Sequence, residues 1–213
     1  MFENRKDAGI QLGKALGKYK NENPLVIGIP RGGIETAFYV AKELEAEMIA
    51  VVSRKLGYPD NPEVAMGAIA EDGSIYLTEL GRGKVSPQDL EAVLEKEKLE
   101  MKRRIQVLRK GKELPPLSGK TILVVDDGMA TGATLMATLK LCQNQNPKKI
   151  VVGVPIAGKD AYTRLEKLAD EVLILEQPEY FQAVSQGYLR FSNLSDEETL
   201  HFIEQHEKTR IPK

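Results

Sequence analysis

Residues 121–134 read Thr121-Ile122-Leu123-Val124-Val125-Asp126-Asp127-Gly128-Met129-Ala130-Thr131-Gly132-Ala133-Thr134. A continuous apolar run, without polar alternation, is the pattern of a strand covered on both faces. This one delivers two adjacent carboxylates at its carboxyl end. A tight turn follows, and a helix opens that runs over 132–145, with Ala133, Met136, Ala137, Leu139 and Leu141 as its apolar residues. Three further runs have the same character, at 25–29, 48–52 and 150–154, and a weaker one lies at 171–175. Between the first two, Ile34, Ala37, Phe38, Ala41 and Leu44 recur at helical spacing. Strands alternating with helices predict an α/β fold: a mainly parallel five-stranded sheet with helices on both faces. Ligands of such sheets sit beyond the carboxyl ends of the strands.

The rest of the chain narrows the class. It has 213 residues, with Lys+Arg 30 against Asp+Glu 31 and a net charge of −1. That balance lacks the basic excess of a dedicated nucleic-acid binder. The single cysteine, Cys142, cannot form an internal disulfide and is expected to pack in the core. His201 and His206 are expected on the surface of a terminal helix, which leaves no multi-histidine metal site. Residues 1–21 are charged throughout and lack the apolar core of a signal peptide. No apolar run approaches the length of a membrane span. A cytoplasmic protein of one domain, 1–213, is expected. Two segments interrupt its alternation. Residues 66–77 carry Asp72-Gly73 between apolar stretches, a hairpin signal. Residues 87–112 form a long helix with Leu90, Leu94, Met101, Ile105 and Leu108 on one stripe. Its acids lie early (Asp89, Glu91, Glu95, Glu97) and its bases late (Lys102, Arg103, Arg104, Arg109, Lys110), in accord with the helix dipole. Gly111 and Pro115-Pro116 end it.

The turn after Asp127 offers successive backbone N–H groups and two threonine hydroxyls at a positive helix end, which makes an anion nest. Carboxylates repel a phosphate but accept hydrogen bonds from the hydroxyls of a sugar whose phosphate lies in that nest. Ribose phosphate therefore fits the pattern better than phosphate alone. A strand ending in an acidic helix cap is the plainer alternative, and the full fourteen-residue pattern disfavours it. A second element, Gly28-Ile29-Pro30-Arg31-Gly32-Gly33, ends the first strand; paired glycines let backbone approach an anion, and Arg31 adds charge. It is not the G-x-G-x-x-G of dinucleotide sites. Arg54-Lys55 ends the second strand, ahead of Leu56-Gly57-Tyr58-Pro59-Asp60-Asn61-Pro62.

The 121–134 segment resembles the binding motif for phosphoribosyl diphosphate (PRPP) of the type I phosphoribosyltransferases. The arrangement, with the 87–112 insertion ahead of that strand, resembles a bacterial group placed in that family without an assigned substrate. The resemblance implies that Asp126 and Asp127 hold the ribose hydroxyls and act in catalysis. It implies that Met129, Ala130, Thr131, Gly132, Ala133 and Thr134 bind the ribose 5-phosphate. Arg31, Gly32 and Gly33 correspond to the family's diphosphate loop, in which a cis peptide often occurs. Arg54 and Lys55 correspond to its basic pair for the diphosphate, with Lys55 assisting the leaving group. Residues 54–112 then form a flexible loop, hairpin and helical insertion, and 177–213 a C-terminal hood and helix. Within the hood, Phe181 corresponds to the base stacker and Val184 to an edge contact. Two departures stand out: Gly128 replaces an apolar residue, and Arg190 lies where purine enzymes carry an acid associated with magnesium. Ala130 replaces the proton-handling acid of the 6-oxopurine enzymes, which weakens that substrate class.

The implied activity is Mg2+-dependent transfer of ribose 5-phosphate from PRPP to a nitrogen acceptor, a nucleobase for preference. Mg2+ is held mainly through PRPP and diphosphate. The implied partners are PRPP, the small acceptor and a second copy of the chain, with no membrane and no nucleic acid. A PRPP-sensing regulator with little catalysis is the alternative. A hydrolase using Asp126 as nucleophile ranks last, for want of a general acid and a metal cluster. On this reading Asp127→Asn lowers turnover far more than stability.

Overall fold

The computed structural model describes residues 1–83 and 85–210. Lys84 of the expected insertion and residues 211–213 of the expected terminal segment lie outside the described residues. In chain order the main elements begin with α1 (Arg5–Ala15), β1 (Leu25–Gly28), α2 (Gly32–Leu44) and β2 (Glu47–Ala50). Next come β3 (Ser53–Tyr58), β4 (Asn61–Ala70), β5 (Ile75–Leu77) and α3 (Pro87–Arg109). The chain continues with β6 (Thr121–Val125), α4 (Ala133–Asn144), β7 (Lys149–Ile156), α5 (Ala161–Leu165), β8 (Glu171–Glu176) and α6 (Asp196–Arg210).

The five apolar runs become β1, β2, β6, β7 and β8, paired in parallel in the order β2-β1-β6-β7-β8. Side chains alternate across this sheet as the pleat requires. Val26, Leu123, Val125 and Val151 pack against α1, α2 and α6 through Leu12, Leu16, Ile34, Phe38, Val40 and Ile203. Leu25, Ile27, Ile122, Val124 and Val152 face the other way, onto Ala137, Leu139 and Leu141 of α4. Both faces are covered, which is why these strands are apolar without interruption. From β1 the chain steps outward to β2; from β6 it steps the opposite way to β7 and β8. The reversal lies between β1 and β6, so the crevice at their carboxyl ends is the topological switch point.

Cys142 is buried in this core, and burial raises its thiol pKa to about 12. Helix α1 leaves little trace in the sequence because it meets α2 through glycines, with Leu12 its one large apolar residue in the core. A side chain at Gly9 would meet Thr36 O and Tyr39 Cβ, each at 2.8 Å, so the two helix backbones approach closely there.

The segment expected as a loop after Lys55 is ordered as strand. β3, β4 and β5 form a separate antiparallel sheet, with a register irregularity around Gly57. Leu90, Val93, Leu94, Met101 and Ile105 of α3 cover Leu56, Met66 and Ile69 of this sheet, and Val52 just before it. The long helix thus buries a second small core. Ser86 caps it, accepting from the Asp89 amide at 3.1 Å, and Lys110 ends it in the left-handed region at φ 54, directly before the expected Gly111. His206 corrects the expectation of a surface residue: it is buried, and its Nε2 accepts the Met48 amide at 3.1 Å, closing an edge donor of β2. A buried backbone donor needs such a partner. His201 is exposed. Among the described residues, no helix is long and apolar enough to cross a membrane.

Candidate active site

Two loops meet at the switch point. The first links β1 to α2 through Pro30, Arg31, Gly32 and Gly33, and its Pro30–Arg31 peptide is cis. The second links β6 to α4 and begins with Asp126 and Asp127. The glycines of the first loop make room for the acids of the second. A Cβ on Gly33 would lie 2.5 Å from Asp126 Oδ1. One on Gly32 would fall inside contact distance of Asp127 Oδ2 and 2.8 Å from Arg5 Nε. The sequence suggests that these glycines let backbone reach an anion; the structure adds that they let two carboxylates reach the backbone.

The second loop is pinned at its start. The Met129 amide donates to Ile156 O at 2.9 Å, and its carbonyl accepts from the Gly158 amide at 3.3 Å. Met129 is buried in the core, so it supports the 130–134 turn from below and its amide is already used. Its side chain also fills the space beside Gly132, which adopts φ +67 and caps α4. Thr131 is exposed, and its carbonyl accepts from Arg164 Nη2 at 2.6 Å. Beyond it, the first helical bond of α4 runs from the Met136 amide to Gly132 O at 2.9 Å. The earlier amides of that turn, at Ala133 and Thr134, are the donors an α-helix leaves without internal partners. They stand at the carboxyl end of β6 beside the acid pair, where the helix dipole favours an anion.

The carboxylates are strongly perturbed. Burial, and then the charge of Asp127, push Asp126 well above the usual carboxylate range; the Asp127 amide bond at 2.9 Å opposes this. Burial also raises Asp127, with Arg5 opposing it. Arg5 is the residue that sequence reading missed. It is buried, donates from Nε to Asp127 Oδ2 at 2.7 Å, and lies 3.8 Å from Glu35 Oε2 through Nη1. Burial raises Glu35 in turn, Arg5 opposes, and Asp127 and Glu198 add to the rise. Three acids thus act on one guanidinium. The only local signal near Arg5 is Asn4, whose side chain accepts the Asp7 amide at 2.9 Å and caps α1.

Arg54 and Lys55 sit apart from the pair, on the second sheet, and successive side chains of a strand point to opposite faces. Arg54 donates from Nε to Glu97 of α3 at 2.8 Å. Lys55 is solvent-accessible, with its nearest partners on Glu63 at 3.4 and 3.6 Å. Ser53 holds the start of β3 to α4 through a 2.8 Å bond between its hydroxyl and that of Thr138. Phe181 and Val184 are half-buried beside Phe2, Ile156 and Tyr188. Arg190 is paired with Glu3.

The glycine at 128 is explained by the hood. A Cβ there would meet Val184 Cγ1 at 2.7 Å, Ile156 Cγ2 at 3.0 Å and Ile156 O at 3.1 Å. Restoring an apolar residue with Gly128→Val is expected to cost about 1–3 kcal/mol by overpacking. Thermal unfolding checks this, and an unchanged midpoint would refute it.

Comparison with known proteins agrees with this geometry. A family model described as a phosphoribosyl transferase domain matches residues 8–188. Two Mycobacterium tuberculosis proteins, MT0597 (strain CDC 1551 / Oshkosh) and Rv0571c (strain H37Rv), carry provisional phosphoribosyl transferase names. Each is 41% identical over 207 residues, which is 96% of this chain and 47% of theirs. The chain therefore spans about half the length of these relatives. The crystal structure of TT1426 from Thermus thermophilus is 35% identical, with a TM-score of 0.80, over 96% of this chain and 98% of that one.

Proposed function

The chain belongs to the phosphoribosyl transferase domain family, and on that premise we propose that it transfers ribose 5-phosphate from PRPP to a nitrogen acceptor, releasing diphosphate. The observation that carries this reading is the meeting of an acid pair, a free helix N-terminus and a two-glycine loop at one switch point. In this reading the 5-phosphate lies at the amino end of α4, on the Thr131–Thr134 turn. The ribose hydroxyls donate to Asp126 and Asp127, and the diphosphate lies along Arg31, Gly32 and Gly33.

The acceptor nitrogen forms a bond to ribose C1 with its lone pair. The bond from C1 to the diphosphate oxygen breaks, and diphosphate leaves with that electron pair. The acceptor's proton passes to solvent. Positive charge grows on the ring as the bond breaks, and the buried acid pair stabilises it without reorganising. Lys55, accessible and carried on the β3–β4 hairpin, is assigned to the departing diphosphate. Arg54 instead anchors that hairpin to α3 through Glu97. Phe181 and Val184, beside the turn at Gly128, are assigned to the acceptor's face and edge.

The donor set fits Mg2+ carried by the substrate. Asp126, Asp127 and Glu35 act on the one guanidinium of Arg5, and among the described residues no group of three or more His, Cys, Asp or Glu side chains could hold a metal ion. Mg2+ prefers few protein ligands and substrate oxygens. Bound through diphosphate and the ribose hydroxyls, it supplies charge neutralisation for the leaving group. A cytoplasmic homodimer completes the reading, on the family resemblance alone.

The alternative regulator would bind nucleic acid through a continuous basic face. The late arginines of α3 argue against that: Arg103 pairs with Glu100 and Asp196, Arg104 with Glu100, and Arg109 with Glu71. The test is diphosphate release from PRPP and Mg2+ across a panel of nucleobases and amines. Release dependent on one acceptor is expected. Binding of PRPP by calorimetry without release for any acceptor would favour the regulator.

A further inference from the structure

Asp127 is gripped from the hood side twice. Arg5 Nε donates to its carboxylate at 2.7 Å, and the Tyr188 hydroxyl donates to its backbone carbonyl. Both grips come from one composite layer built by residues 2–5, which lead into the first turn of α1, and residues 187–192. The Phe2 amide donates to Gly187 O at 2.8 Å, the Leu189 amide to Phe2 O at 2.9 Å, and the Arg190 amide to Glu3 O at 2.9 Å. Phe2 and Tyr188 pack ring to ring at 5.8 Å, and Tyr188 contacts Phe191 at 5.1 Å. The guanidinium of Arg5 is locked into this layer. Its central carbon lies 3.9 Å from the Phe191 ring centroid, and Nη1 donates to Ser192 O at 2.7 Å. A planar fork with one edge on a carboxylate and the other on a fixed carbonyl leaves Asp127 a single orientation. Asp126 has no such partner: its carboxylate accepts only the amide of Asp127 among the described bonds.

We propose that Arg5 is a positioning residue, which fixes the orientation and charge of Asp127 and thereby makes the ribose end of the site depend on docking of the hood layer. The proposal rests on the transferase reading for its consequence and on geometry alone for its cause. The two acids then differ in kind. Asp127 is held in one orientation by Arg5, which favours its charged form against burial, while Asp126 has no cation bonded to it among the described residues. The groups that face Asp127 are Arg5 from α1, Glu35 from α2, Asp126 beside it and Tyr188 from the hood; Glu198 of α6 acts on Glu35. Arg5 is the single cation of that set. Removing it leaves three acids and a phenol together, so Asp127 will hold its proton to higher pH.

The experiment has two readouts on Arg5→Gln, Arg5→Lys and Phe191→Leu. The first is the titration of the Asp127 carboxyl carbon by NMR, which needs no substrate. The second is PRPP affinity by calorimetry across pH. In Arg5→Gln the Asp127 titration is expected to move upward, and PRPP affinity to fall about ten- to hundredfold, as for other groups that orient a ligand-binding residue. The loss should shrink as pH rises and Asp127 ionises. Arg5→Lys keeps the charge without the fork, so it should restore the titration but only part of the affinity. Phe191→Leu leaves Arg5 in place without its aromatic support and should show the same two shifts, smaller. If Arg5→Gln does not fold, the Arg5→Lys and Phe191→Leu pair decides the matter. An unmoved Asp127 titration, or full PRPP affinity in folded variants, would overturn the proposal. A wild-type protein that does not bind PRPP would overturn the transferase reading while the NMR titration still judged Arg5.

Discussion

Asp126→Asn is expected to give a protein at least as stable as the parent and nearly inactive. Asp126 is half-buried beside a like charge, with no cation bonded to it among the described residues. The sign follows from its raised pKa. An acid that holds its proton more tightly when folded contributes stability that is complete below its ordinary value of 3.8 and is lost as pH rises through the folded value. At neutral pH the ionised group is therefore a burden, and the neutral amide relieves it. The same change removes one of the two charges that would stabilise the cationic ribose, a loss of roughly 10²–10³ in turnover. Asp127→Asn should behave differently. Arg5 keeps an oxygen acceptor but loses its anion, which offsets the relief that a neutral amide brings to an acid raised by burial, so Asp127→Asn should be the less stable of the two variants. The sequence alone predicts only the loss of turnover for this variant; the buried pair with Arg5 adds the second penalty. Thermal unfolding of both variants at two pH values separates them. Equal destabilisation by both substitutions would show that Arg5 does not distinguish the acids. Turnover should rise with pH through the range in which the pair ionises, opposite in direction to the stability of the unliganded protein.

Gly32→Ala should damage both the acid pair and the fold. The added methyl falls against Asp127 Oδ2 and lies 2.8 to 2.9 Å from two nitrogens of Arg5. Neither neighbour can yield freely, because Arg5 is buried and bonded at both edges. The carboxylate has to leave its place, and a displacement of about 1 Å in a reacting constellation costs about 10² in rate. Overpacking adds about 1–3 kcal/mol of destabilisation. Gly17→Ala is the control: nothing lies within 4 Å of its Cβ position, and loss of unfolded-state freedom there should be neutral or stabilising by up to about 1 kcal/mol. Calorimetry with PRPP and thermal unfolding of both variants test this. Parental PRPP affinity in Gly32→Ala would mean that Asp127 is not where ribose binds.

Features with a local period or a local bond are legible in the chain before it folds. The five sheet strands are of this kind, because strands covered on both faces must be apolar throughout. So are α2, α3 and α4, from their apolar stripes, and the turn at 128–134, from its glycine and threonines before a helix. The acid pair is legible because it stands at the end of such a strand. The remaining features exist only once distant segments are brought together. Arg5 meets Asp127 across 122 positions, and His206 closes the Met48 amide across 158; no periodicity records a hydrogen bond over that distance. α1 is hidden because it packs through Gly9 and Gly13, which carry no apolar signal. The Asp72-Gly73 hairpin is legible and joins β4 to β5, whereas the stretch at 56–65 reads as a loop because its tip, from Asn61 to Val64, is exposed and its register breaks at Gly57. Arg54 and Lys55 look equivalent as neighbours in sequence. The pleat separates them, and Glu97 on a helix forty-three positions away takes one of the two.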